Sequence, residues 1–208
     1  GHGFLVLGDT AGLSGNIIGE NSLDGVRLGG DHASLVNNQI RNHPGYGVVI
    51  LGNSSNLQGN IVEDSGGIGV RIDGNTATLT ENEVRRSDGN GIQIVGHDGT
   101  LTGNQVRESD GHGLVFQGNR FNLSGNSVAS SAGEGVRIVG DNSVLNGNVI
   151  RENDGYGLRI QGDEALIREN QILANRSDGI WIRSLESVVS ANQIEGNGGC
   201  PSAAPFEA

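Results

Sequence analysis

Apolar residues return along this chain with a period of 22. A glycine recurs at Gly3, Gly25, Gly47, Gly69, Gly91, Gly113, Gly135, Gly157 and Gly179, and the position after it is apolar every time, from Phe4 through Ile92 to Ile180. The position three residues on is equally apolar, from Val6 through Ile94 to Ile182, while the residue between the two varies freely. That alternation is the period-two signature of a strand with one buried face. Ten residues beyond the glycine stands leucine from Leu13 to Leu145, then Ile167 and Val189; fifteen beyond it stands valine or isoleucine from Ile18 to Ile194. These centre two further short strands. Three strands per repeat, joined by turns too short for a crossover helix, stack in register only as a solenoid with parallel neighbours. The expected fold is all-β: a right-handed parallel β-helix of nine 22-residue coils, right-handed because parallel crossovers are overwhelmingly so. With coils about 4.8 Å apart the rod would be roughly 43 Å long.

Polar positions repeat as well. Thirteen residues past each column glycine stands asparagine, from Asn16 through Asn104 to Asn192. Asparagine tolerates the left-handed backbone region, and its amide can bond to the coils above and below. An asparagine ladder is therefore expected between the second and third strands. Gly8, Gly30, Gly52, Gly74, Gly96, Gly118, Gly140 and Gly162 close the first strand, where the backbones should approach closely or take positive φ. The ninth coil departs from the pattern: Ser184 replaces the closing glycine and Pro201 stands where the next column glycine belongs. The division expected is a β-helix over residues 1–200 and a tail over 201–208, "PSAAPFEA", as a possible end cap, with the uncovered first coil open to end-to-end self-association.

Composition narrows the partners. The net charge is −11, and all thirteen basic residues are arginine with no basic run, which argues against nucleic acid and anionic membrane surfaces. Cys200 is the single cysteine, so neither an internal disulfide nor a multi-cysteine metal site is possible. No apolar run has the length of a membrane span. Gly1 falls inside a repeat, so the chain reads as a processed or excised piece.

The unit from Gly89 to Asp110, GNGIQIVGHDGTLTGNQVRESD, resembles the parallel β-helix repeat family within the pectate-lyase-like superfamily, and the resemblance covers nearly the whole chain. It implies a carbohydrate context and an extracellular or periplasmic location, since the fold is shared by polysaccharide lyases, galacturonan hydrolases, mannuronan epimerases, phage tailspikes and periplasmic proteins of the NosD type. The catalytic motifs of those relatives do not carry over. The Asp-Pro-His-acid motif of the epimerases has only a reversed His43-Pro44, the Asp-Asp pair of the hydrolases is absent, and so is the Arg-x-Pro-x-x-Arg stretch of pectate lyases. No catalytic residue, cofactor or metal site is therefore expected. The alternative is a lyase or uronan epimerase acting on the first-strand face, for which Arg71 with Asp73 is the nearest approach to the chemistry.

The outward position between the two apolar columns of the first strand carries Arg27, Arg71, Arg137, Arg159 and Trp181. A polyuronate's sugar spacing is similar to the coil rise, so arginines on adjacent coils could grip successive carboxylates through two hydrogen bonds each. Arg137 and Arg159 are such a pair, and Tyr156, Gln161, Trp181 and Arg183 should gather beside them as a carbohydrate-binding patch. Asp9 over Asp31 and Asp141 over Asp163 could hold calcium, but Asp and Asn interchange at this place, which reads as turn chemistry. His112 should stack beside Glu134 as a surface histidine, and His2, His32, His43 and His97 do not converge on a metal.

Overall fold

The computed structural model describes residues 1–198, so the expected cap over 201–208 and Cys200 lie outside the described residues. Each coil makes three strands; in the fifth these are Ile92–Val95, Thr100–Thr102 and Gln105–Ser109. The strands form three nine-stranded sheets in which every pairing is parallel and joins equivalent residues of neighbouring coils. Sheet 1 runs from Phe4–Leu7 to Ile180–Arg183, sheet 2 from Gly12–Ser14 to Val188–Ser190, and sheet 3 from Ile17–Gly19 to Gln193–Glu195.

The four apolar columns line the interior. Ile92, Ile94, Leu101 and Val106 are all buried, as are their counterparts through the central coils. Burial weakens toward the ends, where Phe4 and Val189 are partly exposed, because an end coil has a neighbour on one side only. One irregularity is compensated locally. Phe121 replaces the alanine or serine usual at its place and packs on Phe116 with ring centroids 4.7 Å apart, and Gly99, one coil below, leaves the room: a Cβ there would lie 2.8 Å from the Phe121 ring.

The column glycine is required by contact rather than by φ. A Cβ on Gly91 would stand 2.3 Å from Val106 Cγ1, 2.8 Å from the Gly113 carbonyl oxygen and 2.9 Å from Ser109 Oγ. Real Cβ atoms do not approach so closely, so the chain can pass this corner only without a side chain.

The asparagine ladder is present. From Asn16 to Asn170 each Nδ2 donates to Oδ1 of the asparagine one coil on, at 2.8–2.9 Å. In the central coils each also donates to a backbone carbonyl of the preceding coil, Asn104 to Leu79, and each Oδ1 accepts a backbone N–H. The left-handed conformation expected of the asparagine falls instead on the residue before it, as at Asn37, Glu81 and Gly103, with φ of 53°, 53° and 64°. The asparagine serves through its side chain, and its neighbour makes the bend.

A second ladder runs behind sheet 3: Asn21, His43, Ser65, Ser87, Ser109, Ser131, Asn153, Asn175 and Asn197. Asn153 and Asn175 donate to the next asparagine at 2.9 and 2.8 Å, whereas the four serines are too short, and their hydroxyls reach no hydrogen-bond partner among the described residues. A third ladder follows sheet 1. Asp9 Oδ1 accepts the Asp31 N–H, Asp31 Oδ1 the Asn53 N–H, and the relay continues through Asn75, His97, Asn119, Asp141 and Asp163. The stacked aspartates thus each accept the next coil's backbone N–H, which is the turn role. The Asn53 backbone N–H holds the Asp31 carboxyl below its ordinary pKa.

Candidate functional site

The residue just before each column glycine stands at the entrance to sheet 1, and this column reads His2, Asp24, Tyr46, Ile68, Asn90, His112, Glu134, Tyr156 and Asp178. Its neighbour three residues on is the outward residue of the sheet 1 strand, so the two columns face one another along the rod. The register pairs Arg137 with Arg159 and Arg159 with Trp181, one coil apart each time.

Glu134 is the hub of the site. It is 6% exposed, and its Oε1 accepts a 2.9 Å hydrogen bond from Arg159 Nη1, while Oε2 lies 3.9 Å from Arg137 Nη1 and 3.8 Å from His112 Nδ1. A buried carboxylate persists only when its charge is met; here Arg159 hydrogen-bonds Oε1 and Arg137 stands near Oε2, which accepts no hydrogen bond among the described residues. The pair then outweighs the single carboxylate, leaving a local excess of one positive charge on a strongly acidic chain.

Arg159 lies against two aromatic rings. Its guanidinium carbon lies 4.8 Å from the Trp181 ring centroid and 5.9 Å from that of Tyr156, and the two rings are 6.4 Å apart. A stacked guanidinium loses little further freedom when it binds an anion, and only one of its five N–H donors is used within the described residues. Gln161 and Arg183, two residues further along their strands, pair with one another in register and line a separate shallow groove with Val139, Asp163 and Leu185. Four of the expected patch residues therefore converge on Glu134 or on one another, and the other two stand beside them.

His112 fixes what this site can do with protons. Its Nδ1 accepts the Glu134 backbone N–H at 2.9 Å, so the neutral ring carries its proton on Nε2 and presents a donor. Burial pushes its pKa below the usual imidazole value, with the Glu134 carboxylate opposing and Arg137 and Arg159 assisting. With Nδ1 engaged, the neutral ring has no free acceptor nitrogen. Arg71 and Asp73 neutralise each other, with Nη2 to Oδ2 at 2.8 Å and Nε within 3.2 Å of both oxygens.

The role of Glu134 was not apparent from sequence spacing, because it lies on the turn before the strand while the arginines lie on the strand. The usable signal was an acid one residue before a column glycine and three before an outward arginine, a spacing shared by Asp24 and Arg27.

A family model described as right handed beta helix region matches residues 69–203, and one described as periplasmic copper-binding protein (NosD) matches residues 3–123. No curated protein matches the chain. Among solved structures, the mannuronan C-5 epimerase AlgE6 A-module of Azotobacter vinelandii is 17% identical with a TM-score of 0.75 over 90% of this chain and 67% of that one. The AlgE4 A-module of the same organism is 16% identical with a TM-score of 0.73, over 89% and 65%. An alginate lyase from Paenibacillus sp. str. FPU-7 is 14% identical with a TM-score of 0.53, over 94% of this chain and 89% of that one. The chain thus spans about two thirds of the epimerase modules, and at these identities the likeness is one of fold.

The copper named in the second family description finds no matching donor set among the described residues. Among the described residues no three of His, Cys, Asp or Glu converge. Nδ1 of His2, His43, His97 and His112 already accepts a backbone N–H in each case.

Proposed function

Because the chain belongs to the right-handed β-helix family, whose stacked strands set side chains of successive coils about 4.8 Å apart, we propose that it is a non-catalytic module that binds acidic polysaccharide along sheet 1. The carrying observation is the arginine pair on adjacent coils: Arg159 against Trp181 and hydrogen-bonded to the buried Glu134, with Arg137 beside it, 3.9 Å from the same carboxylate. A sugar carboxylate can take the free guanidinium donors, Nε2–H of His112 can reach a sugar oxygen, and Trp181 and Tyr156 offer flat apolar faces to the ring. Gln161 and Arg183 extend the surface along the strand. Structural neighbours named for action on mannuronan and alginate support the same ligand class, and the periplasmic NosD family description supports a site of action outside the cytoplasm. No described helix is long and apolar enough to cross a membrane.

Binding should quench or shift the fluorescence of Trp181, the only tryptophan, when polymannuronate is titrated in, and added salt should weaken it. Replacing both Arg137 and Arg159 with glutamine should abolish the response. A panel of neutral and acidic glycans that gives no saturable change, or a response that survives the double substitution, would remove this reading. Bond cleavage or epimerisation in the same panel would put the enzymatic alternative in its place.

A further inference from the structure

The site around Glu134 has a counterpart five coils away. In the entrance column the order histidine, acid, tyrosine occurs twice on consecutive coils, as His112, Glu134, Tyr156 and as His2, Asp24, Tyr46, each followed by an arginine three residues past the acid, Arg137 and Arg27. The geometry immediately around the acid repeats, although Val49 stands where the first site has Arg159. His2 Nδ1 accepts the Asp24 backbone N–H at 3.3 Å, as His112 Nδ1 accepts that of Glu134. The Asp24 carboxylate lies 3.3 Å from both His2 Nδ1 and Arg27 Nη1, and like Glu134 it is buried, at 8% exposed. The Tyr46 backbone N–H donates to Asp24 Oδ1 at 2.9 Å, while its side chain lies by Arg71 of the next coil. Between the two copies the column holds Ile68 and Asn90, and the outward residues are Val49, Gln93 and Val115 together with Arg71, which is paired to Asp73.

A carboxylate held under an arginine recurs elsewhere on this protein as an ordinary exposed ion pair, Arg120 with Asp98 for example. The two copies differ in burying the acid and in setting histidine and tyrosine on either side of it. Resting on the reading of the Glu134 site above, we propose that His2, Asp24, Arg27 and Tyr46 form a second carboxylate-binding subsite, and that one acidic glycan chain occupies both. Five coils separate them by about 24 Å, close to the length of about five sugars in an extended polyuronate. The protein then selects by chain length: an oligomer that bridges both subsites gains from the raised effective concentration of its second end, and a shorter one cannot.

Calorimetry and Trp181 fluorescence with a mannuronate trimer and octamer test this. The trimer should bind at two sites per chain and the octamer at one, roughly tenfold or more tighter. Arg27→Gln should reduce the trimer to one site while the Trp181 signal keeps its midpoint, and should bring the octamer close to the trimer's affinity. One trimer per chain, or an octamer affinity that Arg27→Gln leaves unaltered, would overturn the second subsite while the Glu134 site stands. Absence of any Trp181 response to either oligomer would instead overturn the parent reading and this one with it. Arg27→Gln unpairs the buried Asp24 and should lower the melting temperature, so binding is compared well below the transition, where a circular dichroism spectrum equal to that of the parent chain separates loss of binding from loss of fold.

Discussion

At the scale of single residues, the ladders show that asparagine is kept for its two-ended amide, and histidine can stand in for it. Asn104 is fully buried and bonded on both sides, so Asn104→Ala should cost about 1–3 kcal/mol by leaving those partners unpaired. Arg107→Gln, which breaks a part-exposed pair with Glu83, should cost well under about 1 kcal/mol; equal denaturation midpoints for the two would contradict the ladder's role. His43 fills an asparagine's place in the second ladder, with Nε2 3.3 Å from the Ile18 carbonyl oxygen and Nδ1 accepting the Asn21 N–H. Both ring nitrogens are committed to the neutral form, and burial holds the pKa below its ordinary value. The unfolded chain takes up a proton near pH 6.5 that the folded chain resists, so stability is full above that pH and falls as the medium is acidified through it. His43→Asn, whose amide offers the same donor and acceptor, should keep the melting temperature at pH 8 and flatten its decline toward pH 5, as followed by thermal melts across that range. A second decline, below the ordinary carboxylate pKa of 3.8, belongs to Asp31, Asp64 and Asp98, whose pKa values are lowered by the Asn53 backbone N–H, Arg86 and Arg120 respectively.

At the scale of strands and turns, the apolar columns were legible because each coil repeats them without an insertion, and the asparagine column because one residue type fills it. The turns were less legible. Three places per coil take the left-handed conformation, and they hold residues as different as Thr10, Glu81, Arg86 and Ala174, all with φ between 53° and 61°. Side-chain identity leaves little trace of a conformation that stacking on adjacent coils enforces. The column glycine is the converse case, invariant in sequence for a reason visible only in three dimensions. Gly91→Ala must displace Val106, Ser109 and the backbone of the next coil, so a loss of about 1–3 kcal/mol or more is expected from urea unfolding. Gly103→Ala, at a left-handed φ of 64° with only the Glu81 side chain near, should cost less, about 1 kcal/mol.

At the scale of the whole molecule, each coil rests on its two neighbours and on nothing further away, so stability should be graded along the rod. Amide hydrogen exchange should be slowest in the sheet 1 strands from Val48–Leu51 to Leu158–Gln161 and faster in Phe4–Leu7 and Ile180–Arg183, where burial is already incomplete. Uniform protection from end to end would mean that the coils unfold as one. The binding face was half legible at this scale. The outward arginines and Trp181 stand in one column of the sequence, but the acid that holds them enters from the adjoining turn, and Gln161 and Arg183 share their strands while lining a different groove.

The constant coil length has a consequence for how such a protein can vary. Excising or duplicating one whole coil in the interval between Tyr46 and His112 returns every column to register, because each coil meets the next through the same residues. Such a change would leave the interior continuous while moving His2 and Asp24 one rung nearer to, or farther from, Glu134. Coil number then acts as a ruler: an in-frame gain or loss of one repeat would retune which glycan lengths are gripped, with no change in the chemistry of either grip.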